Sequence, residues 1–249
     1  MTTSTLPPEP GRTLRELAKP GRFAGHQVMD RPTLDRIARN RPAGAGVPAS
    51  LPHCPALLVP DPAWFARRGT ASSIHGVLHG ARVAALLQLL AHHQDVEPAR
   101  ARALAAAAAC HDCRRLDDRA DPGHGKRAAD WLNAHGHLVT AALGAPPTPE
   151  AVTAVALHDI PHEAFNGSET EAHRRHRLAV DLLKAADALD RCRLPLTRWW
   201  PDLRRLRLPI PDCAPPLAHD LVVRSERARL DGATDAQAIE LALNSALPA

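Results

Sequence analysis

Apolar positions recur at helical spacing from about residue 72 to residue 193, and no stretch there alternates with the period of two that a strand would show. The pattern predicts five successive helices separated by glycine, proline and polar residues. Their predicted spans are 73–92, 98–112, 121–136, 148–159 and 168–194. We therefore predict an all-α fold, a helical bundle of at least five core helices within residues 71–194.

Local signals indicate where some of these helices begin. Asp121 followed by Pro122 predicts the N-cap and first position of the third helix. The sequence from Ser168 to Glu171 has the form of a capping box for the fifth helix. The second helix is apolar nearly all round, which predicts a central, buried position.

The two ends of the chain have a different texture. Residues 1–70 contain much of the proline and predict an N-terminal extension with short helical patches at 13–18 and 32–38. Residues 195–249 predict a C-terminal extension that finishes with a helical patch at 235–247. We expect the N-terminal extension to wrap around one helical domain, and the sequence assigns no task to the C-terminal one.

Composition narrows the class of protein. The formal charge is only +4, and the chain has three Phe, four Trp and no run of five basic residues, which argues against a dedicated nucleic-acid module. The chain has no stretch of 18 apolar residues that would predict a membrane span, and the first residues lack a hydrophobic signal core. Five cysteines, an odd number, fit reduced thiols. We expect a soluble, cytoplasmic protein.

Each predicted helix carries a side chain that can bind a metal ion. The candidate ligands are His79, His111, Asp112, His124, His158 and Asp187. Imidazole and carboxylate groups are typical ligands of Fe, Mn, Zn, Co and Ni ions, and six of them exceed the need of one tetrahedral ion. We therefore predict a site for two divalent transition-metal ions of unspecified identity.

The doublet His111-Asp112 follows the apolar run 104–109, where an isolated carboxylate would be costly. Adjacent helical residues point about 100° apart, so the two side chains do not aim at one point as an i,i+4 pair would. We expect Asp112 to bridge the two ions, whose charge would compensate its own.

The motifs HGARVA beginning at His79, HD at 111–112, HG at 124–125, a histidine at 158 and AADALDR containing Asp187 resemble the HD superfamily of metal-dependent phosphohydrolases. The resemblance covers residues 71–194. Within the superfamily, the chain is similar to a group of small HD-domain proteins. Members with additional histidines between the doublet and the last aspartate have two-metal sites, which the resemblance implies here through His124 and His158. The chain lacks the GYP motif and the HD-x-x-ED pattern of narrower HD subgroups.

Cationic side chains flank the doublet, namely Arg114, Arg115 and Lys126. Such groups suit phosphate oxygens, so we expect a phosphohydrolase or phosphodiesterase acting on a nucleotide or another phosphorylated small molecule, with Asp112 and these three cations as catalytic residues. The same ligands would also suit a di-iron oxygenase of the HD fold. A third alternative is a non-catalytic protein that binds metal or nucleotide.

Several assignments stay open at the sequence level. His75 shares a helix face with His79 and is a candidate for contact with a ligand residue or with substrate. His162, in the segment HDIPHE, could replace His158. Asp190 is expected to pair with Arg191 or Arg193 at helical spacing. The sequence decides neither the substrate nor the oligomeric state.

Overall fold

The computed structural model of the chain describes residues 27–46 and 55–247. These residues contain helices and no strand, which confirms the predicted all-α class. The α-helices are α1 Arg31–Ala38, α2 Arg68–Ala71, α3 Val77–His93, α4 Pro98–Ala109, α5 His124–Leu143, α6 Pro149–Leu157, α7 Gly167–Arg175, α8 Arg177–Asp190, α9 Ala214–Leu230 and α10 Asp235–Ala246. Short 3-10 turns lie at Pro62–Trp64, His162–Ala164, Arg191–Arg193, Thr197–Trp199 and Leu203–Arg205. The predicted patch at 13–18 lies outside the described residues.

Helix α4 is as buried as its composition predicts, since residues 103–109 are all shielded from solvent. Its alanines are small, which allows α3 to approach closely. Gly80 of α3 lies so near the Ala109 carbonyl that a Cβ atom would overlap it. This close approach places His79, the neighbour of Gly80, beside the chain that follows α4.

Two helix ends differ from prediction in ways that shape the site. Helix α3 begins at Val77 rather than at residue 73, because Gly76 is extended (ψ −155°) and residues before it form turns. Helix α4 ends at Ala109 rather than at residue 112. His111 and Asp112 therefore lie in the turn after the helix.

The predicted start of the third helix was wrong. Helix α5 begins at His124 after Gly123, whose φ of +77° lies in the left-handed region that favours glycine. The carboxylate of Asp121 does not cap the helix, because it accepts hydrogen bonds from the Leu116 amide at 2.7 Å and from Arg127 at 2.6 Å. The helix also continues beyond residue 136 to Leu143, with a local distortion at His135.

The single fifth helix was also a wrong prediction, since the chain divides it into α7 and α8 at His176 (φ −122°, ψ 30°). The capping box belongs to Asn166 and Glu169, and so begins two residues earlier than predicted. The Ser168 hydroxyl donates to the Asn166 side chain at 2.8 Å instead of capping a helix itself.

The C-terminal residues complete the core. Helix α9, which the sequence pattern did not predict, packs against α3, α8 and α10. Leu217, Leu221, Ile239 and Leu243 of α9 and α10 belong to the same hydrophobic cluster as α3 and α4. Helix α1 packs on α9. Among the described residues no helix is long and apolar enough to cross a membrane.

Candidate metal centre

The structure brings the six predicted ligands together in two groups that share Asp112. The inner group consists of His79, His111, Asp187 and the Oδ2 atom of Asp112. His79 Nε2 lies 3.1 Å from His111 Nε2, 3.3 Å from Asp187 Oδ1 and 3.6 Å from Asp112 Oδ2. His79 Nε2 thus lies within 3.6 Å of the other three atoms, and both histidines are fully buried.

The outer group consists of His124, His158 and the Oδ1 atom of Asp112. The two Nε2 atoms lie 3.1 Å apart, and they are 3.0 Å and 3.4 Å from Asp112 Oδ1 respectively. Asp112 therefore turns one oxygen to each group, which is the arrangement that a bridging carboxylate needs.

Backbone carbonyls hold three of the four imidazoles in the same way. The Nδ1 atoms of His111, His124 and His158 each donate at 2.7 Å to the carbonyl three residues earlier. A carbonyl oxygen only accepts, so Nδ1 carries the hydrogen and a neutral ring has its lone pair at Nε2. That tautomer is the one required for coordination through Nε2, and the hydrogen bond also fixes the ring orientation.

The spacing of the Nε2 atoms fits a shared cation. Two nitrogens bound to one ion at about 2.0–2.1 Å, at angles near 90–109°, would lie about 2.8–3.4 Å apart. Both histidine pairs have Nε2 atoms 3.1 Å apart. In the outer group three acceptors face one another, and Asp112 Oδ1 is buried without a well-directed hydrogen-bond donor. A cation bound between these atoms would remove the repulsion of their lone pairs.

A second layer of charged groups supports His79. Its Nδ1 atom lies 2.7 Å from Asp190 Oδ2, and Asp190 also accepts from the Arg82 guanidinium at 2.7 Å and 3.1 Å. The remaining Arg82 nitrogen donates to Glu226 at 3.1 Å and Ser225 at 3.2 Å, both on α9. Helix α9 thus supports a candidate ligand through a buried chain of ionic hydrogen bonds, a common arrangement behind metal-binding histidines.

The carboxylates determine the charge of the inner group. Burial lowers the pKa of His79, but hydrogen bonds to Asp112, Asp187 and Asp190 outweigh this effect and raise it to about 9. Burial lowers the pKa of the neighbouring His111 to about 3. The His79 imidazolium therefore offsets part of the negative charge of these carboxylates, at the position where a bound cation would do so.

The remaining carboxylates of the centre stay ionised. Burial raises the pKa of Asp112, but the surrounding imidazoles and Arg115 hold it well below its usual range. Burial opposes ionisation of Asp190 too, and Arg82 with His79 overcomes it, so that the pKa falls to about 2.

The outer group depends on close packing of α5 against the end of α6. A Cβ atom at Gly125 would lie only 2.6 Å from the Val155 carbonyl and 2.8 Å from His158 Nδ1. The glycine after His124 is therefore needed for His124 and His158 to meet. Asp159 joins the two elements, because its Oδ2 accepts from the Gly123 amide at 2.9 Å.

A cavity of about 600 Å³ opens onto this centre. Asp112, His124, His158 and Asp187 line it together with two buried cations, Arg115 and Arg193. Arg115 Nη1 lies 3.2 Å from His124 Nε2 and 3.8 Å from Asp112 Oδ1.

Arg193 approaches the same cavity from the turn after α8. Its Nη2 lies 3.2 Å from His75 Nδ1, and its Nη1 lies 3.6 Å from Asp190 Oδ2. Neither Nη1 nor Nε has a well-directed hydrogen bond. Burial lowers the pKa of this guanidinium, which is nonetheless still charged at neutral pH.

Two predicted catalytic cations are not brought to the cavity. Arg114 donates to the Trp64 carbonyl at 3.1 Å, and this bond turns its side chain toward the segment before α2. Lys126 lies on the exposed face of α5, where its Nζ is 3.4 Å from Asp130. Of the three predicted cations, only Arg115 lines the cavity.

The structure also resolves the assignments left open by sequence. His75 Nδ1 lies 2.9 Å from Asp112 Oδ2, so His75 contacts the shared carboxylate. His158, and not His162, joins the outer group. Asp190 lies 3.6 Å from Arg193 Nη1, as helical spacing predicts, but its shorter contacts are with Arg82 and His79. Helical spacing did not predict this role of Arg82, because its partners lie more than 100 residues away.

Comparisons with protein-family models, with curated proteins and with solved structures give no match for this chain. The resemblance to the HD superfamily therefore depends on the sequence motifs and stays a prediction. The geometry of the buried histidine and aspartate groups is one that could hold a metal ion.

Proposed function

We propose that the chain is a metal-dependent phosphohydrolase or phosphodiesterase that acts on a nucleotide or another phosphorylated small molecule. The observation that carries the proposal is the presence of Arg115 and Arg193 in the same cavity as the two ligand groups. A dinuclear site alone has several uses, but two buried guanidinium groups beside it favour an anionic substrate.

The inner group would hold one divalent ion and the outer group the other, with Asp112 between them. Ions bound there would supply Lewis acidity and a water of lowered pKa. Asp190 and the backbone carbonyls keep the imidazoles in place, so little reorganisation is required when the substrate arrives.

The cationic side chains would bind the phosphoryl group. Arg115, beside the outer group, is placed to donate to a non-bridging oxygen, and Arg193 adds positive charge at the inner end of the cavity. Trp199 also lines the cavity and offers an aromatic side chain on which a base could stack. A volume of about 600 Å³ lies within the range usual for small-molecule sites.

The test begins with elemental analysis of protein purified without added metal, followed by assay of a phosphoester panel with Mn²⁺ or Co²⁺. We expect cleavage of at least one phosphoester and a loss of at least tenfold, about 1.4 kcal/mol, in Arg115→Gln. The matched control is Arg174→Gln, an exposed arginine paired with Glu171 on the surface.

The competing functions predict different results. Bound iron, a mixed-valent paramagnetic signal and oxygen consumption without phosphoester cleavage would replace the proposal with a di-iron oxygenase. Metal and nucleotide binding without any turnover would instead support a non-catalytic binding protein.

A further inference from the structure

A second cluster of potential ligands lies in α7, α8 and the 3-10 turn before them, and shares no residue with the centre described above. We propose that His162, His173 and Asp181 bind one additional divalent transition-metal ion. His162 Nε2 and His173 Nε2 lie 3.1 Å and 3.0 Å from Asp181 Oδ1, and one ligand atom from each residue lies within 4.8 Å of the others.

The break between α7 and α8 creates this cluster. In a continuous helix, residues eight positions apart would be separated by about 12 Å along the axis. His173 and Asp181 are eight positions apart, and the non-helical conformation of His176 folds α7 back so that their side chains meet. His162 reaches the same carboxylate from the turn His162–Ala164.

The carboxylate of Asp181 is poorly compensated by the protein itself. Its side chain is fully buried, both imidazoles face the same oxygen, and Oδ2 has no hydrogen-bond donor. The nearest cation is Arg177, whose Nε lies 3.5 Å from Oδ2 and whose side chain is 70% exposed. A solvated arginine compensates a buried charge weakly, so an ion between the three side chains would stabilise it.

The chemistry of the cluster indicates the kind of ion. Two imidazole nitrogens and one carboxylate are a ligand set of Zn²⁺ and related ions, with solvent completing the coordination. Phe165 covers one side, since its ring centroid lies 5.3 Å from that of His162 and 5.5 Å from that of His173. The ion would fasten the segment after His158 to α8, the helix that carries Asp187.

The experiment uses the full chain, stripped with chelator and then equilibrated with Zn²⁺ alone at a buffered free concentration. Bound zinc per chain is measured by mass spectrometry of the element. We expect His162→Gln and His173→Gln each to bind about one ion fewer than the unaltered chain. His93→Gln, a change in an exposed histidine at the end of α3, should bind as many as the unaltered chain.

The difference of one ion does not depend on the dinuclear centre, because Asp112→Ala should keep the ion at Asp181. Folded His162→Gln and His173→Gln proteins with unchanged zinc content would overturn the proposal and leave a hydrogen-bonded His-Asp-His group. Asp181→Asn, nearly isosteric, is the second variant if the glutamine variants do not fold.

A measurement on the unaltered chain avoids substitutions. Added Zn²⁺ should slow hydrogen–deuterium exchange at the C2 carbon of His162 and His173 and leave His93 unaffected. Equal exchange rates with and without Zn²⁺ at His162 and His173 would also overturn the proposal.

Discussion

The inner and outer ligand groups contain similar atoms but are held by different means. In the inner group, His111 is fixed by a local carbonyl, but His79 is fixed by Asp190, Arg82 and Glu226, which lie on three different helices and are fully or almost fully buried. In the outer group, His124 and His158 are fixed by local carbonyls, and the His124 side chain is 10% exposed.

This difference predicts that two metal ions bound in the centre would differ in affinity. The inner group has four candidate ligands and an ionic network behind it, in which Asp190 lies 3.6 Å from the Arg193 guanidinium and offsets its charge. The outer group has three candidate ligands, and the Arg115 guanidinium lies only 3.2 Å from His124 Nε2. A neighbouring positive charge opposes a second cation until an anion arrives. We therefore expect the inner ion to bind more tightly, and the outer ion to bind best together with an anionic substrate.

The largest expected effect is that of Asp112→Ala, because both groups use this carboxylate. The variant should lose both ions of the centre and all metal-dependent activity. Elemental analysis checks the result, with Asp130→Ala on the exposed face of α5 as the matched control. Retention of one ion in Asp112→Ala would show that the two groups do not share a bridge.

Asp190→Asn should affect the inner group and the stability of the fold together. Loss of the charge leaves Arg82 buried without its main partner, which costs about 3–5 kcal/mol in free energy of unfolding. The inner affinity should fall about 10- to 100-fold, since a group that orients a ligand is weakened. Chemical denaturation and metal titration measure these effects.

Asp202→Asn, in a partly exposed residue with arginine partners, is the control for Asp190→Asn. Equal loss of metal affinity in the inner and outer groups of Asp190→Asn would contradict the expected difference between the two groups.

Chelation should remove the ions in two phases, the outer before the inner. When the free concentration of an ion is about 100 times its dissociation constant, its binding contributes about 2.7 kcal/mol to the free energy of unfolding. The melting temperature should therefore fall in two steps as chelator strength increases. A single step, with both ions leaving together, would contradict the proposed difference between the groups.

The smallest expected effect is that of Gly125→Ala, which concerns only the outer group. The added methyl would press on the Val155 carbonyl and His158, at a cost of about 1–3 kcal/mol. Outer-ion occupancy should decrease while inner-ion occupancy is kept. Gly167→Ala is the matched control, because no atom lies within 4 Å of a Cβ there. Similar behaviour of the two variants would argue against the packing role of Gly125.

Sequence alone predicted the helical class and the six side chains that the structure brings together. Both depend on local information, because apolar spacing predicts helices and residue type predicts metal chemistry. Helix ends were less predictable, because Asp121 and Ser168 had alternative hydrogen-bond partners nearby.

The need for a glycine at position 125 was not visible in the sequence. The HG pair at 124–125 contributed to the family resemblance, but no local pattern explains why the residue after His124 must lack a side chain. The reason lies in the packing of α5 against the end of α6, where a Cβ atom would meet the Val155 carbonyl.

Tertiary structure alone decided which charged groups act together. Arg82 meets Asp190 and Glu226 across 108 and 144 positions of sequence, a separation that no helical spacing predicts. The same packing turns Arg115 toward the cavity and leaves Lys126 on the surface. Local patterns determine helices and the chemistry that they carry, whereas the direction and partner of a long polar side chain depend on which helices pack together and which faces they bury.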